Sequence, residues 1–375
     1  MKWSHLPLEQ FVDFYNGKSI KPSEKGNFPA FGSNGIIGYS ENYLYDKGII
    51  IGRVGANCGS VEVSLNNFWP SDNTIVAKPK SNADLVFVYY LLKNYPLNSY
   101  AGGSAQPLLT QTVLKPIKFN IPEYPTQRKI ASILSAYDDL IENNLKRIKL
   151  LEEIARITYE EWFVKFCING VKLETSKTTR LPNNWQMTII KDYVGFISKG
   201  PSLDYNEGDI PVINQSCIRN GEIELEKILY AKELPMSKED SYLKLNDVLI
   251  NSMGQGTLGR VSKNVSITEK YIIHNCITVL RAKKELSQYQ LFYFISSKQS
   301  YFESIAQGST GQTTLKISSI EELKIPVPPI NLLRDFDKIV DPLWKQIGCL
   351  KKQNTKLREA RDILLPKLMS GQIEV

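Results

Sequence analysis

Two sets of polar residues lie in stretches rich in Gly, Asn and Ser and have side chains that can pair with nucleic acid. Arginine can donate two hydrogen bonds to guanine, glutamine and asparagine can pair bidentately with adenine, and lysine, serine and threonine suit phosphate oxygens. The candidates in the N-terminal half are Lys18, Lys21, Asn34, Arg53, Ser104, Gln106 and Gln111. Those in the C-terminal half are Lys199, Asn214, Gln215, Arg219, Asn251, Ser252, Gln255, Arg260, Ser309, Gln312 and Thr313. Each residue alone is weak evidence, because polar loop residues are usually only solvated.

Other kinds of site find little support in the sequence. The two histidines, His5 and His274, have no Cys, Asp or Glu near them in a metal-ligand pattern, so neither a metal site nor histidine-based catalysis is predicted. Gly254–Gly259 fits Gly-x-Gly-x-x-Gly, but the β-branched segment Arg260–Ser266 follows where phosphate binding requires a helix. We therefore expect a glycine-rich hairpin there, and a binding protein with no cofactor, no metal and no catalysis of its own.

Composition narrows the class of protein without deciding it. Lys and Arg number 46 against 39 Asp and Glu, a formal net charge of +7 that suits a polyanionic partner but also occurs in proteins that never bind nucleic acid. The five cysteines are scattered and form no Cys-x-x-Cys pair, which argues against a disulfide framework or zinc site. We find neither a signal-peptide core nor a stretch apolar enough to span a membrane, and predict a cytoplasmic protein without membrane contact.

The elements that position these loops are two long heptad-patterned segments. Leu134, Ile141 and Ile148 lie seven apart, and adding 206 to each number gives Val340, Ile347 and Asn354. The shared register favours a duplicated unit over two unrelated amphipathic helices. The residues predicted to pair the helices are Leu134, Tyr137, Ile141, Ile148, Leu151, Val340, Leu343, Ile347, Leu350, Leu357 and Leu364.

The globular regions before the two helices also correspond. In the first, Gly48–Gly52 is predicted as a strand, Asp84–Lys93 as a helix, and Lys118–Pro122 as the final strand. The second repeats this order and ends in the similar strand Lys324–Pro328. Because so many elements recur in the same order, the sequence predicts an α+β unit that occurs twice.

The ends of the helices carry more specific signals. The first is predicted to run from a capping Thr126 to about Phe166. Pro342 predicts a kink or break near the start of the second helix, with Asp341 as a cap. Polar residues in the seams are expected to fix the register or, alternatively, to lie at a solvent-facing edge; they are Asn144, Asn354 and Arg361.

Three segments carry a family resemblance: Pro125–Glu142 (PTQRKIASILSAYDDLIE), Trp162–Phe166 (WFVKF) and Leu364–Gly371 (LLPKLMSG). With them the chain resembles, over nearly its whole length, the DNA-specificity subunit of type I restriction-modification systems. It departs from that family at Asn331–Phe336, where a Glu-Gln-like opening would be expected before the second helix.

The resemblance implies an α+β fold with two target-recognition domains, separated by two long antiparallel coiled-coil helices, and an internal pseudo-twofold repeat. The expected segments are a first domain (1–122), the central helix (123–168), a linker with the second domain from about 180 (169–328) and the C-terminal helix (329–375). The family's subunit reads a bipartite target in double-stranded DNA, docks two methyltransferase subunits and meets restriction subunits through the assembled complex. It has no catalysis or cofactor of its own. The residues alone leave open a coiled-coil scaffold whose globules bind protein or glycan.

Overall fold

The computed structural model describes residues 3–103, 107–203, 205–219, 221–232, 242–267, 271–306 and 313–375. Contacts divide the chain into two compact units. Unit 1 contains Met1–Asn143 and Asn354–Val375, and unit 2 contains Asn144–Gln353. Each unit therefore combines one globular domain with the first part of one long helix and the last part of the other.

Unit 1 is built on a four-stranded antiparallel sheet, a three-stranded sheet and a two-stranded sheet. The strands are β1 (Trp3–Pro7), β2 (Val12–Asn16), β3 (Phe28–Gly32), β4 (Gly35–Ser40), β5 (Gly48–Gly52), β6 (Val61–Ser64), β7 (Trp69–Pro70), β8 (Thr74–Pro79) and β9 (Lys118–Pro122). The helices are α1 (Leu85–Lys93), α2 (Gln111–Leu114) and the start of α3 (Tyr124–Tyr159). The sheet orders are β2-β8-β5-β6, β4-β3-β7 and β1-β9, and β3 pairs in parallel with β7.

Unit 2 repeats these three sheets in the same order. Its strands are β10 (Cys167–Ile168), β11 (Val171–Lys172), β12 (Gln186–Ile189), β13 (Val194–Lys199), β14 (Tyr205–Ile213), β15 (Ile218–Arg219), β16 (Glu222–Ile223), β17 (Leu229–Ala231), β18 (Val248–Asn251), β19 (Val261–Lys263), β20 (Ile272–Ile273), β21 (Ile277–Ala282) and β22 (Lys324–Val327). Its helices are α4 (Ile190–Tyr193), α5 (Gln288–Ser296), α6 (Gln299–Ile305), α7 (Ile317–Glu321) and the start of α8 (Ile330–Met369). The orders β13-β21-β18-β19, β17-β14-β20 and β12-β22 match unit 1, and β14 pairs in parallel with β20. The predicted α+β repeat is confirmed.

Corresponding helices are capped in the same way. The Asp84 carboxylate accepts hydrogen bonds from the second and third backbone N–H groups of α1, both at 3.0 Å. The Ser287 hydroxyl accepts the equivalent pair at the start of α5, both at 3.2 Å. Such caps satisfy donors that the first turn of a helix leaves unpaired. The predicted helix within Asp84–Lys93 is confirmed.

The long helices contribute to the hydrophobic core of each unit. In unit 1, Ile130 and Leu134 of α3 lie in one buried cluster with Leu368 and Met369 of α8. In unit 2, Tyr159 of α3 lies in the core that also holds residues from the start of α8 and from the four-stranded sheet. Since residues from opposite ends of the two helices share a core, the helices are antiparallel within each unit.

Of the predicted kink or break at Pro342, the break is wrong, because α8 is one helix from Ile330 to Met369, and the kink stays a prediction. Proline inside a helix costs about 3 kcal/mol. Here its ring is exposed, while Val340, Trp344 and Ile347 are buried on the inner face. Burial of each large apolar side chain contributes about 1.5–3 kcal/mol, which outweighs the lost backbone bond.

The first long helix begins two residues before the predicted cap. It starts at Tyr124, so that Pro125 occupies its first turn, where proline is tolerated and Thr126 is already helical. A π-helical turn, Glu160–Val164, follows its end. The helix therefore reaches almost as far as the predicted Phe166.

Most residues predicted to pair the helices face inward to different degrees. Leu134, Ile141, Ile148, Val340, Ile347 and Leu350 are buried. Tyr137, Leu151, Leu343, Leu357 and Leu364 are half-buried. Asn144 and Asn354 are only 7% and 1% exposed, so the solvent-facing alternative is wrong for these two residues. Their role in fixing the register remains a prediction.

Candidate nucleic-acid interface

In each unit, three loop segments meet at one end of the four-stranded sheet because its strands are antiparallel. In unit 1 these segments follow β2 and β5 and precede β6 and β8; we call this end loop edge 1. In unit 2 they follow β13 and β18 and precede β19 and β21; we call this end loop edge 2. Many of the predicted DNA-contacting residues lie at or next to these two edges.

Loop edge 1 brings Arg53, Gln111 and the segment before Asn34 together. The Arg53 backbone N–H donates to the Asn73 carbonyl at 2.9 Å, and the Ser33 hydroxyl donates to the same carbonyl at 2.8 Å. The Gln111 amide donates to the Asn16 side-chain oxygen at 2.9 Å. These hydrogen bonds join the ends of β2 and β5 to the start of β8 and α2. Asn16 and Asn73 were not among the residues predicted from the sequence; Asn16 is the last residue of β2, and Asn73 immediately precedes β8.

Arg53 at loop edge 1 has a guanidinium nitrogen without a hydrogen-bond partner among the described residues. Its side chain is half-buried, and in the described part of the chain its Nε is buried without a hydrogen-bond partner. Its backbone is held on both sides, since the Leu109 N–H also donates to the Arg53 carbonyl at 2.9 Å. A fixed backbone with unused guanidinium donors suits bidentate contact with a base or phosphate.

Two exposed lysines lie on the segment between β2 and β3. Lys18 is anchored by its backbone, whose N–H donates to the Pro70 carbonyl at 2.9 Å and whose carbonyl accepts from the Trp69 indole at 3.0 Å. Lys21 follows three residues later. Because both ammonium groups are exposed, they can act as positive charges for phosphates. Asn34 is exposed in the turn between β3 and β4.

Loop edge 2 has the same backbone hydrogen bonds but different side chains. The Ser252 N–H donates to the Cys276 carbonyl at 2.7 Å, and the Leu315 N–H donates to the Ser252 carbonyl at 2.8 Å. Ser252 thus occupies the position of Arg53. Its side chain is fully buried and its hydroxyl lies 2.5 Å from that of Thr278.

Asn214 also bonds within the protein rather than pointing outward. Its amide donates to the Lys227 carbonyl at 2.6 Å, its side-chain oxygen accepts the Ser216 N–H at 2.7 Å, and it is 5% exposed. Next to it, the Gln215 carbonyl accepts the Asn251 side-chain amide at 2.9 Å. Asn214, Asn251 and Ser252 therefore shape this edge from inside.

The hairpin between β18 and β19 carries two of the candidate residues, Gln255 and Arg260. Gln255 is exposed at its tip, and the Arg260 guanidinium donates to the Gly256 carbonyl at 2.8 Å. The Gly-x-Gly-x-x-Gly segment forms the turns of this hairpin, with φ of +109°, +71° and +80° at its three glycines, and no helix follows it. The predicted glycine-rich hairpin is confirmed. Arg219 is exposed in β15, and Thr313 is half-buried beside the Met253–Thr314 bridge.

Lys199, His274 and Cys276 lie at loop edge 2 in a partly desolvated group. Burial lowers the pKa of Lys199, an effect that Cys276 partly offsets, and burial lowers the pKa of His274. Burial raises the pKa of the Cys276 thiol. The His274 Nδ1 accepts the Cys276 N–H at 3.1 Å. His274 therefore has a place in the candidate interface that the sequence analysis did not give it.

A glycine occupies the same position at both edges. A Cβ atom on Gly17 would lie 1.9 Å from the Ser71 carbonyl oxygen, and one on Gly200 would lie 2.0 Å from the Ile273 carbonyl oxygen. In both units the backbone of a neighbouring segment lies too close to this glycine to leave room for any side chain. A glycine at the same position therefore allows the same close backbone contact at both loop edges.

Four of the predicted DNA-contacting residues lie outside the described residues: Ser104, Gln106, Ser309 and Gln312. Within the described ranges, no group of three or more His, Cys, Asp or Glu side chains could hold a metal ion. None of the helices in those ranges is long and apolar enough to cross a bilayer.

A second surface, on unit 2, is apolar and exposed. Leu150, Ile154, Ile157 and Val164 on α3 and its π-helical turn are 64%, 50%, 44% and 60% exposed. The spacing of 4 and 3 residues places Leu150, Ile154 and Ile157 on one side of α3, opposite the buried Ile148 and Ala155, and Val164 follows in the π-helical turn. We call these four residues the α3 stripe. An apolar row with this spacing is what a partner helix packs against.

The sequence matches the model of the family described as the type I restriction modification DNA specificity domain, over residues 2–153 and 182–359. It is 27% identical over 350 residues to the type I restriction enzyme MjaIX specificity subunit of Methanocaldococcus jannaschii, covering 88% of this chain and 79% of the relative. It is 23% identical over 387 residues to the HindI specificity subunit of Haemophilus influenzae, covering 84% and 83%.

A solved structure shares the fold. The S subunit of a type I restriction-modification system from M. genitalium superposes with a TM-score of 0.66 at 19% sequence identity, covering 98% of this chain and 96% of that one. At this identity the likeness concerns the fold alone.

Proposed function

Because the chain belongs to the type I restriction-modification specificity subunits, the non-catalytic members of those systems, we propose that its two globular domains each read one half of a bipartite DNA target. Loop edge 1 and loop edge 2 are the proposed reading surfaces. The long helices set the distance between the half-sites. Two methyltransferase subunits dock on the helices, and restriction subunits join through the assembled complex. A protein with this target works in the cytoplasm.

The observation that carries this proposal is the equivalence of the two loop edges. Corresponding backbone hydrogen bonds hold Arg53 in one unit and Ser252 in the other, so one scaffold presents different side chains. Two readers of the same geometry and different chemistry suit a target with two unlike halves.

The candidate residues divide by what their side chains can reach. Arg53, Gln111, Gln255 and Arg260 have donors or acceptors suited to base edges, whereas Lys18, Lys21, Lys199 and Arg219 suit phosphates. Asn34, Gln215 and Thr313 remain proposed contacts, as do the four residues outside the described ranges. We assign Asn214 and Ser252 to the support of loop edge 2 because both are buried and bonded internally.

The α3 stripe supports docking of a methyltransferase subunit. The opposite face of this helix is already buried in the core of unit 2. The exposed apolar row is therefore a surface against which a partner helix can pack. Burying each of these four side chains would contribute about 1.5–3 kcal/mol to such a contact.

The direct experiment is to express the chain with its methyltransferase partner and map methylated adenines in the host genome. We expect one bipartite motif with a constant gap. A purified complex that shows no preference for any member of a random DNA pool would refute the proposal.

Salt dependence separates a DNA reader from the coiled-coil scaffold. Binding to DNA should weaken steeply with rising salt, because each phosphate contact releases counterions, by about 0.9 in log K per contact and per log unit of salt. A scaffold that binds protein or glycan through apolar contacts would show a much flatter dependence.

A further inference from the structure

The two long helices carry different side chains at one corresponding pair of positions. Their numbering differs by 206, since α3 begins at Tyr124 and α8 at Ile330, and buried residues coincide under this shift, as with Leu134 and Val340. At the position of Asp138, α8 has Trp344. At the position of Arg361, α3 has Ala155.

In unit 1 the pair is ionic. The Arg361 guanidinium donates to the Asp138 carboxylate, which also accepts the Tyr90 hydroxyl of α1 at 2.5 Å. The side chains of Arg361 and Asp138 are 19% and 32% exposed. Burial and this hydrogen bond raise the pKa of Tyr90, so its hydroxyl remains a donor. One carboxylate thus joins both long helices to the globular domain.

In unit 2 the pair is apolar. Trp344 and Ala155 belong to one buried core, with Ala155 fully buried and Trp344 6% exposed. The tyrosine that corresponds to Tyr90 is Tyr293, whose ring lies 6.3 Å from that of Trp344. Unit 2 thus has a large and a small apolar side chain at the helix positions where unit 1 has two charged ones.

We propose that these two pairs, Asp138 with Arg361 and Trp344 with Ala155, make α3 and α8 of one chain pair with each other and reject a second copy of the chain. In a duplicated chain, pairing with a second copy is a competing arrangement, because the first part of α3 could pack against the last part of α3 from another copy. Asp138 would then face Ala155 and lose its cation, so that this half-buried carboxylate would keep the Tyr90 hydroxyl but have no opposite charge beside it. Trp344 would face Arg361, and two large side chains would compete for the space of one. Polar residues at single seam positions are known to select partners in this way.

The proposal is tested in the full chain by moving the arginine from one helix to the other. In the variant with Ala155→Arg and Arg361→Ala, both contacts within one chain are mismatched, whereas pairing with a second copy restores an arginine to Asp138 and an alanine to Trp344. We expect the wild-type chain to have the molar mass of one copy, 42.6 kDa, by light scattering, and the variant to have twice that mass. Copies carrying two different tags should co-purify only in the variant.

A second variant controls for simple misfolding. Adding Asp138→Trp and Trp344→Asp to the first two changes exchanges the pairs completely, so that both contacts within one chain match again. This variant should return to a single copy with a helical circular-dichroism spectrum like that of the wild type. A folded, single-copy Ala155→Arg, Arg361→Ala variant would overturn the proposal. Aggregation of the same variant would also overturn the proposal if the full exchange does not reverse it. The readout contains no DNA, so its outcome is independent of the proposed reading function.

Discussion

Loop edge 1 and loop edge 2 share a pattern of backbone hydrogen bonds but differ in their side chains. The Arg53 guanidinium is free of partners in the described part of unit 1, whereas the equivalent Ser252 is buried and bonded to Thr278. In unit 2 the hairpin instead carries Arg260, whose half-buried guanidinium donates to the Gly256 carbonyl. The difference teaches that the hydrogen bonds of the edge belong to the scaffold, and that the reading side chains can change without disturbing them.

The largest effect is expected where the two edges are identical. Gly17→Ala and Gly200→Ala should each lower the free energy of unfolding of the affected unit by about 3 kcal/mol, since a Cβ atom would meet a carbonyl oxygen at about 2 Å. Urea denaturation followed by circular dichroism measures the loss. Gly102→Ala is the control, because no atom lies within 4 Å of a Cβ there. Tolerance of either alanine at positions 17 or 200 would show that the two edges are not built alike.

The α3 stripe gives a second contrast between the units. Shifting Leu150, Ile154, Ile157 and Val164 by 206 gives Lys356, Ala360, Ile363 and Ser370 on and just after α8, a set with one large apolar residue instead of four. Leu150→Glu with Ile154→Glu should weaken methyltransferase binding about a hundredfold, since two buried apolar contacts are lost.

The matched control for the stripe is Lys356→Glu with Ala360→Glu, which should change the affinity less than tenfold. Titration of the partner against each immobilised variant measures both. Equal losses for the two double variants would mean that the stripe gives unit 2 no special part in docking. Circular dichroism should show unchanged helix content in each case.

The two equivalent positions should differ in what they do to DNA specificity. Arg53→Ala should relax the target at a single base pair of one half-site, at a cost of about 1–3 kcal/mol in discrimination, because a bidentate contact is lost. Selection from a DNA pool randomised in both halves measures this. Ser252→Ala should leave the target unchanged and lower only the stability of unit 2. A uniform loss of affinity across all sequences with Arg53→Ala would instead identify a phosphate contact.

A further contrast between the units concerns Lys263, a buried lysine of unit 2. Lys263 lies 4.4 Å from the Tyr289 ring centroid and 4.8 Å from that of Trp344, and burial lowers its pKa to about 7. The corresponding residue of β6 is Val63, since each is the third residue of its strand and pairs with the equivalent position of the neighbouring strand.

Between the lowered pKa of about 7 and its ordinary value of 10.5, the unfolded chain binds a proton at Lys263 that the folded chain does not. The stability of unit 2 should therefore rise with pH across this window, by at most about 1.4 kcal/mol per pH unit. Lys263→Val should flatten this dependence and stabilise unit 2 at pH 7. Thermal unfolding at pH 7, 8 and 9 checks both, and a slope unchanged by Lys263→Val would contradict the assignment.

Much of the fold was predictable because its signals are local or periodic. The heptads around Leu134 and Ile141, the strand Gly48–Gly52 and the helix after Asp84 depend on nearby residues and were predicted correctly. The continuity of α8 through Pro342 was not, because it depends on the burial of Val340 and Trp344 against residues distant in sequence.

The departure of Asn331–Phe336 from the family pattern, at the start of α8, also depends on residues distant in sequence. In unit 1 the Gln127 amide of α3 donates to the Pro122 carbonyl at 3.0 Å. Leu333 replaces this glutamine on α8, and the Gln290 amide of α5 donates to the Pro326 carbonyl at 2.7 Å instead. One hydrogen bond to the last strand is thus supplied from two different elements, which no single-segment motif can reveal.

At the loop edges, residue type predicted which side chains could contact DNA but not whether they face outward or inward. Arg53, Gln111 and Gln255 lie where such chemistry is useful, whereas Asn214 and Ser252 have the same suitable side chains turned inward. Which of these occurs depends on partners such as Lys227 and Thr278, 13 and 26 residues away along the chain. Sequence alone could not distinguish them.

The division of the chain into units has a consequence for its synthesis on the ribosome. Unit 2 is one continuous segment and has all its residues once position 353 has been added, whereas unit 1 also requires residues from Asn354 onward. Ile130 and Leu134 thus wait for Leu368 and Met369 while more than half of the chain is made, about 10–40 s at typical rates of elongation. The domain translated first is therefore the last to be completed, and its apolar helix face is the part of the nascent chain most in need of protection from aggregation.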